Sequence, residues 1–185
     1  MHAIGIDIGG TKIAGAVVAE DGEIVAEERV ATAAGDSDGI VDAVVEMVER
    51  LSVGREIAAA GVAAPGFIDV EQSIVYYTPN ITWRNEPLRQ RLLDRLSIDV
   101  TIDNDANAAG WAEYRFGAGR VVTDMTMLTI GTGVGGAVIS QGRLFRGGFG
   151  AGAELGHLRV VPDGLPCGCG ARGCIEQYGS GRALL

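Results

Sequence analysis

Residues 3–19 read Ala-Ile-Gly-Ile-Asp-Ile-Gly-Gly-Thr-Lys-Ile-Ala-Gly-Ala-Val-Val-Ala. Residues 3–8 are a short apolar run stopped by Gly9-Gly10, the pattern of a buried strand. Residues 13–19 form a second strand. Asp21-Gly22 then marks a hairpin turn leading to a third strand at 24–31. Between the first two strands lies Asp7-Ile8-Gly9-Gly10-Thr11-Lys12. Its glycines let backbone N–H groups approach an anion closely, and Thr11 adds a hydroxyl donor. Asp7, at the strand end, is suited to hold a metal ion or its water shell. The Walker pattern is different, because it needs a longer glycine loop entering a helix. An ordinary hairpin turn is the plain alternative.

Outward from this stretch the chain continues as an α/β protein. Apolar residues at Ile40, Val41, Val44, Val45, Val48 and Leu51 have helical spacing, with Asp36 or Ser37 as N-cap. A buried strand is expected at 57–64, ended by Pro65-Gly66, and an edge strand at 73–77. A helix opened by Pro87 runs to Arg95, and a strand follows at 98–102. Asp103-Asn104-Asp105 precedes an alanine-rich helix over 106–116, stopped by Gly117 and Gly119. At Met125 the opening pattern returns: strand 125–130, turn Gly131-Thr132-Gly133, strand 134–139, and a third strand near Leu144. This echo implies a duplication with a boundary near Arg120. A short strand is expected at 158–161, and a helix from Cys174 onward.

Composition narrows the function. The chain has 185 residues and a formal net charge of −9, which opposes a nucleic-acid binder needing a basic footprint. Lys12 is its single lysine. Glycine supplies 29 residues, far above the usual ~7%, yet without a collagen period and with too much apolar content for disorder. No uninterrupted apolar run reaches the roughly 18 residues of a membrane helix. No signal peptide is read at the start. The three cysteines fall within Cys167–Cys174, a tight odd set that suits a metal better than a disulfide framework. A cytoplasmic protein is the expectation.

Three further constellations bear chemistry. Gly131-Thr132-Gly133-Val134-Gly135-Gly136 offers a second phosphate cradle, and a nucleotide held between two related domains needs one from each. In Asp103-Asn104-Asp105, a carboxylate at a helix start is held ionised and can accept a proton from a hydroxyl. Asn104 can exchange hydrogen bonds with a polyol, while simple helix capping is the structural alternative. His157 with Cys167, Cys169 and Cys174 is a normal tetrahedral zinc set, closed and therefore structural. Glu154 and Glu176 are polar neighbours of that set. Trp83 and Trp111 read as packing residues, and His2 as a solvated terminus.

Taken together, these motifs resemble the ROK family of sugar kinases and related repressors. The residues concerned are Asp7-Ile8-Gly9-Gly10-Thr11-Lys12, Asn104-Asp105-Ala106-Asn107, Gly131-Thr132-Gly133-Val134-Gly135-Gly136, and Glu154-Leu155-Gly156-His157 with the run from Cys167 to Glu176. The resemblance implies an actin-like ATPase (ribonuclease H-like) α/β fold. The first domain would span 1–120, and 121–185 would begin a second, incomplete domain holding the zinc loop. It implies ATP-dependent phosphorylation of the 6-hydroxyl of glucose or a related hexose, with Mg²⁺ accompanying ATP and polyphosphate as the other donor used by relatives. Asp105 matches the catalytic base. Asn104, Glu154, His157 and Glu176 match sugar contacts, with Gly66, Thr78 and Asn80 as lesser ones. His157, Cys167, Cys169 and Cys174 match the zinc ligands. Gly10, Thr11, Lys12, Thr132 and Gly133 match phosphate-side positions, beside Asp7 and Gly9. Kinases of this family continue past the position of Leu185, so a truncated chain of doubtful activity is expected, a homodimer in its full-length form. The alternatives are a non-catalytic zinc-stapled sugar-binding fragment and a sugar-sensing regulator. Regulators place a DNA-binding segment ahead of the first strand, where this sequence leaves no room.

Overall fold

The computed structural model describes residues 1–78 and 80–185. Pro79, expected in the loop with Thr78 and Asn80, lies outside them. The chain divides into two compact units, Met1–Asp105 and Ala106–Leu185.

The first unit is built on a five-stranded sheet in the order β3-β2-β1-β4-β8. Strands β1 (His2–Ile8), β2 (Lys12–Ala19) and β3 (Ile24–Ala31) form the expected antiparallel meander. β4 (Ile57–Ala64) and β8 (Asp99–Asn104) join it in parallel. Such parallel additions require a crossover connection, and helix α1 (Ser37–Ser52) supplies the one between β3 and β4. Asp36 caps α1 by accepting from the Gly39 N–H at 2.9 Å. The apolar stripe of α1, from Ile40 to Leu51, is buried with Ile4, Ile6, Ile13 and Val17 of the sheet. Gly15 makes the approach close: a Cβ there would lie 2.4 Å from the Met47 sulfur.

A smaller sheet orders β5 (Phe67–Ile68), β6 (Val75–Tyr77) and β7 (Arg84–Glu86). Only its middle strand is foreshadowed by the sequence, within the stretch 73–77; β5 is two residues long and β7 is Arg-Asn-Glu, which carries no apolar pattern. Helix α2 spans Leu88–Leu93, shorter at both ends than expected. Trp83 is almost wholly buried and donates through its indole N–H to Ser37 Oγ at 2.8 Å, a packing residue as read. His2 is half-buried as the first residue of β1 rather than a free terminus.

The second unit opens with the rest of helix α3 (Asp105–Phe116). Its sheet is the antiparallel meander β11-β10-β9, with β9 (Met125–Ile130), β10 (Val134–Ser140) and β11 (Arg143–Leu144). The opening topology of the first unit thus recurs. α3 packs on β10 where Gly110 meets Ala137; a Cβ on Gly110 would lie 2.3 Å from that of Ala137. This packing sets α3 in the second unit and puts the division at Asp105, ahead of the Arg120 position read from the sequence. The strand expected at 158–161 does not form. A single bridge from Arg159 to Cys174 stands in its place, with the Val160 and Val161 N–H groups both donating to the Gly173 carbonyl in place of a ladder. The helix expected from Cys174 is one turn, α4 (Glu176–Gly179), followed by a 3-10 turn at Gly181–Leu184. Among the described residues, no helix is long and apolar enough to cross a membrane.

Candidate functional site

In the first unit, the turn between β1 and β2 closes on itself. The Gly9 N–H donates to the Lys12 carbonyl at 2.9 Å. Thr11 and Lys12 stand exposed beyond the turn. Thr32, which the sequence did not single out, secures it from β3's end: its hydroxyl donates to the Gly9 carbonyl at 2.8 Å, and its N–H to the Thr11 carbonyl at 3.0 Å. One backbone donor of the turn, the Gly9 N–H, and three of its carbonyls, those of Gly9, Thr11 and Lys12, are therefore satisfied by these bonds. Burial pushes the Asp7 carboxyl above its usual range, with the Lys12 ammonium opposing.

Asn80 packs against this turn; a Cβ on Gly10 would lie 3.1 Å from the Asn80 Cβ. The structure thus brings Gly10 and Asn80 together, although 70 residues of chain separate the two numbers. Thr78, matched to a sugar-side position by the resemblance, is placed inside the loop. It is fully buried, and its hydroxyl donates to the Ile81 carbonyl at 2.7 Å. It holds the loop's shape and offers no side-chain surface. Arg84 adds to that hold: its guanidinium donates to the Thr78 carbonyl at 3.3 Å and lies 4.3 Å over the Tyr77 ring.

Gly66 has a φ of +90°, and a Cβ there would lie 2.0 Å from the Tyr77 carbonyl oxygen. Only glycine tolerates both conditions. Its own carbonyl accepts from Asn104 Nδ2 at 3.0 Å. That bond orients the Asn104 side chain at the end of β8, where its N–H also meets Asp103 Oδ1 at 2.9 Å. Gln72 buttresses the same corner, donating to the Ile102 carbonyl at 2.9 Å and to Asp103 Oδ2 at 3.2 Å. Asp105 follows as the first residue of α3 and is exposed.

In the second unit the turn between β9 and β10 is one residue tighter, with Ile130 paired to Val134 where the first turn pairs Ile8 to Ile13. The Gly131 N–H donates to the Gly133 carbonyl at 3.0 Å, and Thr132 is exposed. The Val134 N–H is already taken: it donates to Glu176 Oε2 at 3.0 Å. The donors left to an incoming anion are those of Thr132 and Gly133.

His157, Cys167, Cys169 and Cys174 converge, with one ligand atom from each lying within 4.8 Å of all the others. The Cys169 and Cys174 sulfurs are 3.7 Å apart, and Cys167 Sγ is 3.5 Å from His157 Nδ1. Tetrahedral zinc with its usual bond lengths requires edges of ~3.8 Å between sulfurs and ~3.6 Å between sulfur and nitrogen. The donor set therefore fits that ion. Positive φ at Gly170 and Gly173 lets the loop wrap. Burial first, then the neighbouring thiols, pushes the Cys174 thiol up to about 12. A backbone hydrogen bond at Ala171 lowers that of Cys169. Gly156 presses on the Val134 carbonyl, where a Cβ would lie 1.9 Å away. Glu154 is half-buried just before it.

A model of the ROK family matches residues 3–185. A glucokinase of Streptomyces coelicolor is 50% identical over 182 residues, covering 98% of this chain and 57% of the relative. The crystal structure of a ROK family glucokinase from Streptomyces griseus, in complex with glucose and AMPPNP, superposes with a TM-score of 0.90 at 51% identity. It covers 100% of this chain and 59% of that one. A xylose repressor of Bacillus subtilis is 32% identical over 189 residues, covering 100% of this chain and 49% of the relative. The chain thus spans about half to three-fifths of the length of these proteins. Two glycine turns that recur on matching meanders, and an Asn-Asp pair at a strand-to-helix junction, accord with the actin-like ATPase fold of the ROK glucokinases. The chain belongs to the ROK family.

Proposed function

We propose that the protein phosphorylates a hexose, transferring the γ-phosphoryl group of ATP to the 6-hydroxyl of glucose. The observation that supports this most is the corner at Asn104 and Asp105. The Gly66 carbonyl fixes one amide donor of Asn104 and so presents its carbonyl oxygen in a set direction to a sugar hydroxyl. Asp105, next in the chain at the start of α3, is the base. Phosphoryl transfer has little covalent chemistry for the protein to perform, and positioning with charge neutralisation dominates. Asp105 therefore orients the hydroxyl and takes its proton late. Asn80, beside Gly10, and the Gly66 backbone complete the sugar contacts of the first unit. Thr78 acts through the loop shape it maintains.

On the second unit, Glu154, His157 and Glu176 are the sugar-facing candidates. His157 can serve twice, with Nδ1 toward the thiols and Nε2 toward a hydroxyl. Gly9, Gly10, Thr11 and Lys12, with Thr132 and Gly133, receive the phosphates. Mg²⁺ bound with ATP supplies neutralisation of the phosphate charge, and Asp7 is the residue of this turn suited to hold it or its water. Zinc at His157, Cys167, Cys169 and Cys174 is structural. A reduced, cytoplasmic setting suits its free thiols, and a homodimer suits the family.

The test is glucose 6-phosphate formation by the protein, over a hexose panel, with ATP or polyphosphate as donor. Asp105→Asn is expected to abolish turnover while zinc content and glucose binding persist. Persistent turnover would remove Asp105 from its role. Similarity to a xylose repressor along the whole chain supports a second reading, a sugar-sensing regulator. Hexose binding without any phosphoryl transfer would favour it.

A further inference from the structure

We propose that Glu176 is a positioning residue through which the metal loop sets the order of the second glycine turn. The carboxylate stands between the two. Its Oε2 accepts from the Val134 N–H at 3.0 Å, and its Oε1 lies 3.9 Å from Cys167 Sγ and 3.5 Å from Gln177 Nε2. Cys174, a ligand of the metal set, is two residues earlier.

Other contacts converge on the same turn. The Gly181 N–H, just beyond α4, donates to the Gly131 carbonyl at 2.7 Å. Gly156, next to His157, abuts the Val134 carbonyl so closely that no side chain fits. The Ile175 N–H donates to the Leu158 carbonyl at 2.9 Å, tying the two ligand-bearing segments to each other. The turn at 131–134 is thus gripped on its N–H side by Glu176 and on its carbonyl side by the His157 segment. A metal that joins His157 to the three thiols fixes both grips at once. Gly133 is required for this arrangement, because a Cβ there would lie 2.6 Å from Glu176 Oε2.

A carboxylate that occupies Val134 also decides which donors the turn can present. With Val134 satisfied, the N–H groups of Thr132 and Gly133 are the donors the turn has left. When the metal leaves, Glu176 is released and the turn loses its fixed form. The functional meaning of this coupling rests on reading residues 131–136 as a phosphate turn, but the coupling itself does not.

Hydrogen exchange of the full chain, read without nucleotide, tests it. Zinc-loaded protein is compared with protein stripped by a chelator under reducing conditions, and with Glu176→Ala and Glu176→Gln. Glu176→Ala is expected to speed exchange at Val134 by about tenfold or more, as loss of a charge-assisted bond implies. Chelation of the original chain should do the same, and chelation of Glu176→Ala should add little at Val134. Glu176→Gln keeps an acceptor and should restore protection; a Gln variant as fast as Ala would overturn the hydrogen-bond route. If Glu176→Ala does not fold, Gly133→Ala displaces the carboxylate with Glu176 present and should give the same acceleration. Exchange in β1, β2 and β4 should stay constant throughout. Val134 exchange indifferent to both chelation and Glu176 would overturn the proposal. Absence of nucleotide binding with the exchange pattern intact would instead count against the phosphate reading alone.

Discussion

Replacing Gly66 by Ala strains the corner that holds Asn104, and its cost can be worked out from two terms. The first is conformation: a φ of +90° costs an alanine about 1–2 kcal/mol. The second is space. The new Cβ would lie 2.0 Å from the Tyr77 carbonyl oxygen and 3.0 Å from the Thr78 Cα. Both are backbone atoms, so no side-chain rotation relieves the contact, and β5 must part from β6 at the Phe67–Tyr77 pair. Overpacking of this kind costs about 1–3 kcal/mol. The sum, about 2–5 kcal/mol, lowers the melting temperature of a chain of this size by about 5–15 °C. Hexose affinity should fall as well, because the displaced Gly66 carbonyl no longer fixes the Asn104 amide. Gly5→Ala is the control: a Cβ there has nothing within 4 Å, so it should be neutral or stabilising by about 0.4–1 kcal/mol. Thermal unfolding and calorimetric titration with glucose give both readouts. A Gly66→Ala protein that melts within about 2 °C of Gly5→Ala, with unchanged affinity, would refute the reasoning.

Asp7→Asn should stabilise the protein at neutral pH. The folded-state carboxyl is raised above 3.8 by burial, so ionisation opposes folding; the gain should shrink as pH falls through the folded value and vanish below 3.8, as urea unfolding across pH would register. Zinc affinity should weaken with falling pH by about tenfold per unit for each thiol proton displaced. Cys174, pushed up to about 12, keeps its proton throughout the neutral range until metal displaces it, and competition with a chromophoric chelator measures the slope. Thr32→Val removes the hydroxyl bond to the Gly9 carbonyl and should cost about 1 kcal/mol while weakening nucleotide binding; equal binding by the variant would show that the turn holds its form alone.

The strand–turn–strand at residues 2–19 was legible because its residues are local: apolar runs and paired glycines speak within a few positions. The metal set was legible for the same reason, with three thiols inside one loop. What stayed hidden is long-range. Thr32 reaches Gly9 across 23 residues and Glu176 reaches Val134 across 42, and no pattern in either neighbourhood announces a partner that far away. Thr78 was matched to a sugar-side position by resemblance alone, and nothing in its neighbourhood announces that its hydroxyl bonds to Ile81 and is wholly buried. Leu158 to Val161 has a strand's apolar pattern, but pairing requires a partner edge, and the cysteine loop provides only one bridge.

Lys12 stands exposed at the first glycine turn and is the sole lysine of the sequence. Among the side chains of residues 1–185, amine-directed chemistry, whether acetylation, a fluorescent ester or coupling to a sensor chip, therefore has Lys12 at the turn as its one target. A label placed on Lys12 reports on that turn. A chip loaded the same way presents molecules modified at that turn, so a surface-binding experiment on this protein should be immobilised through another group.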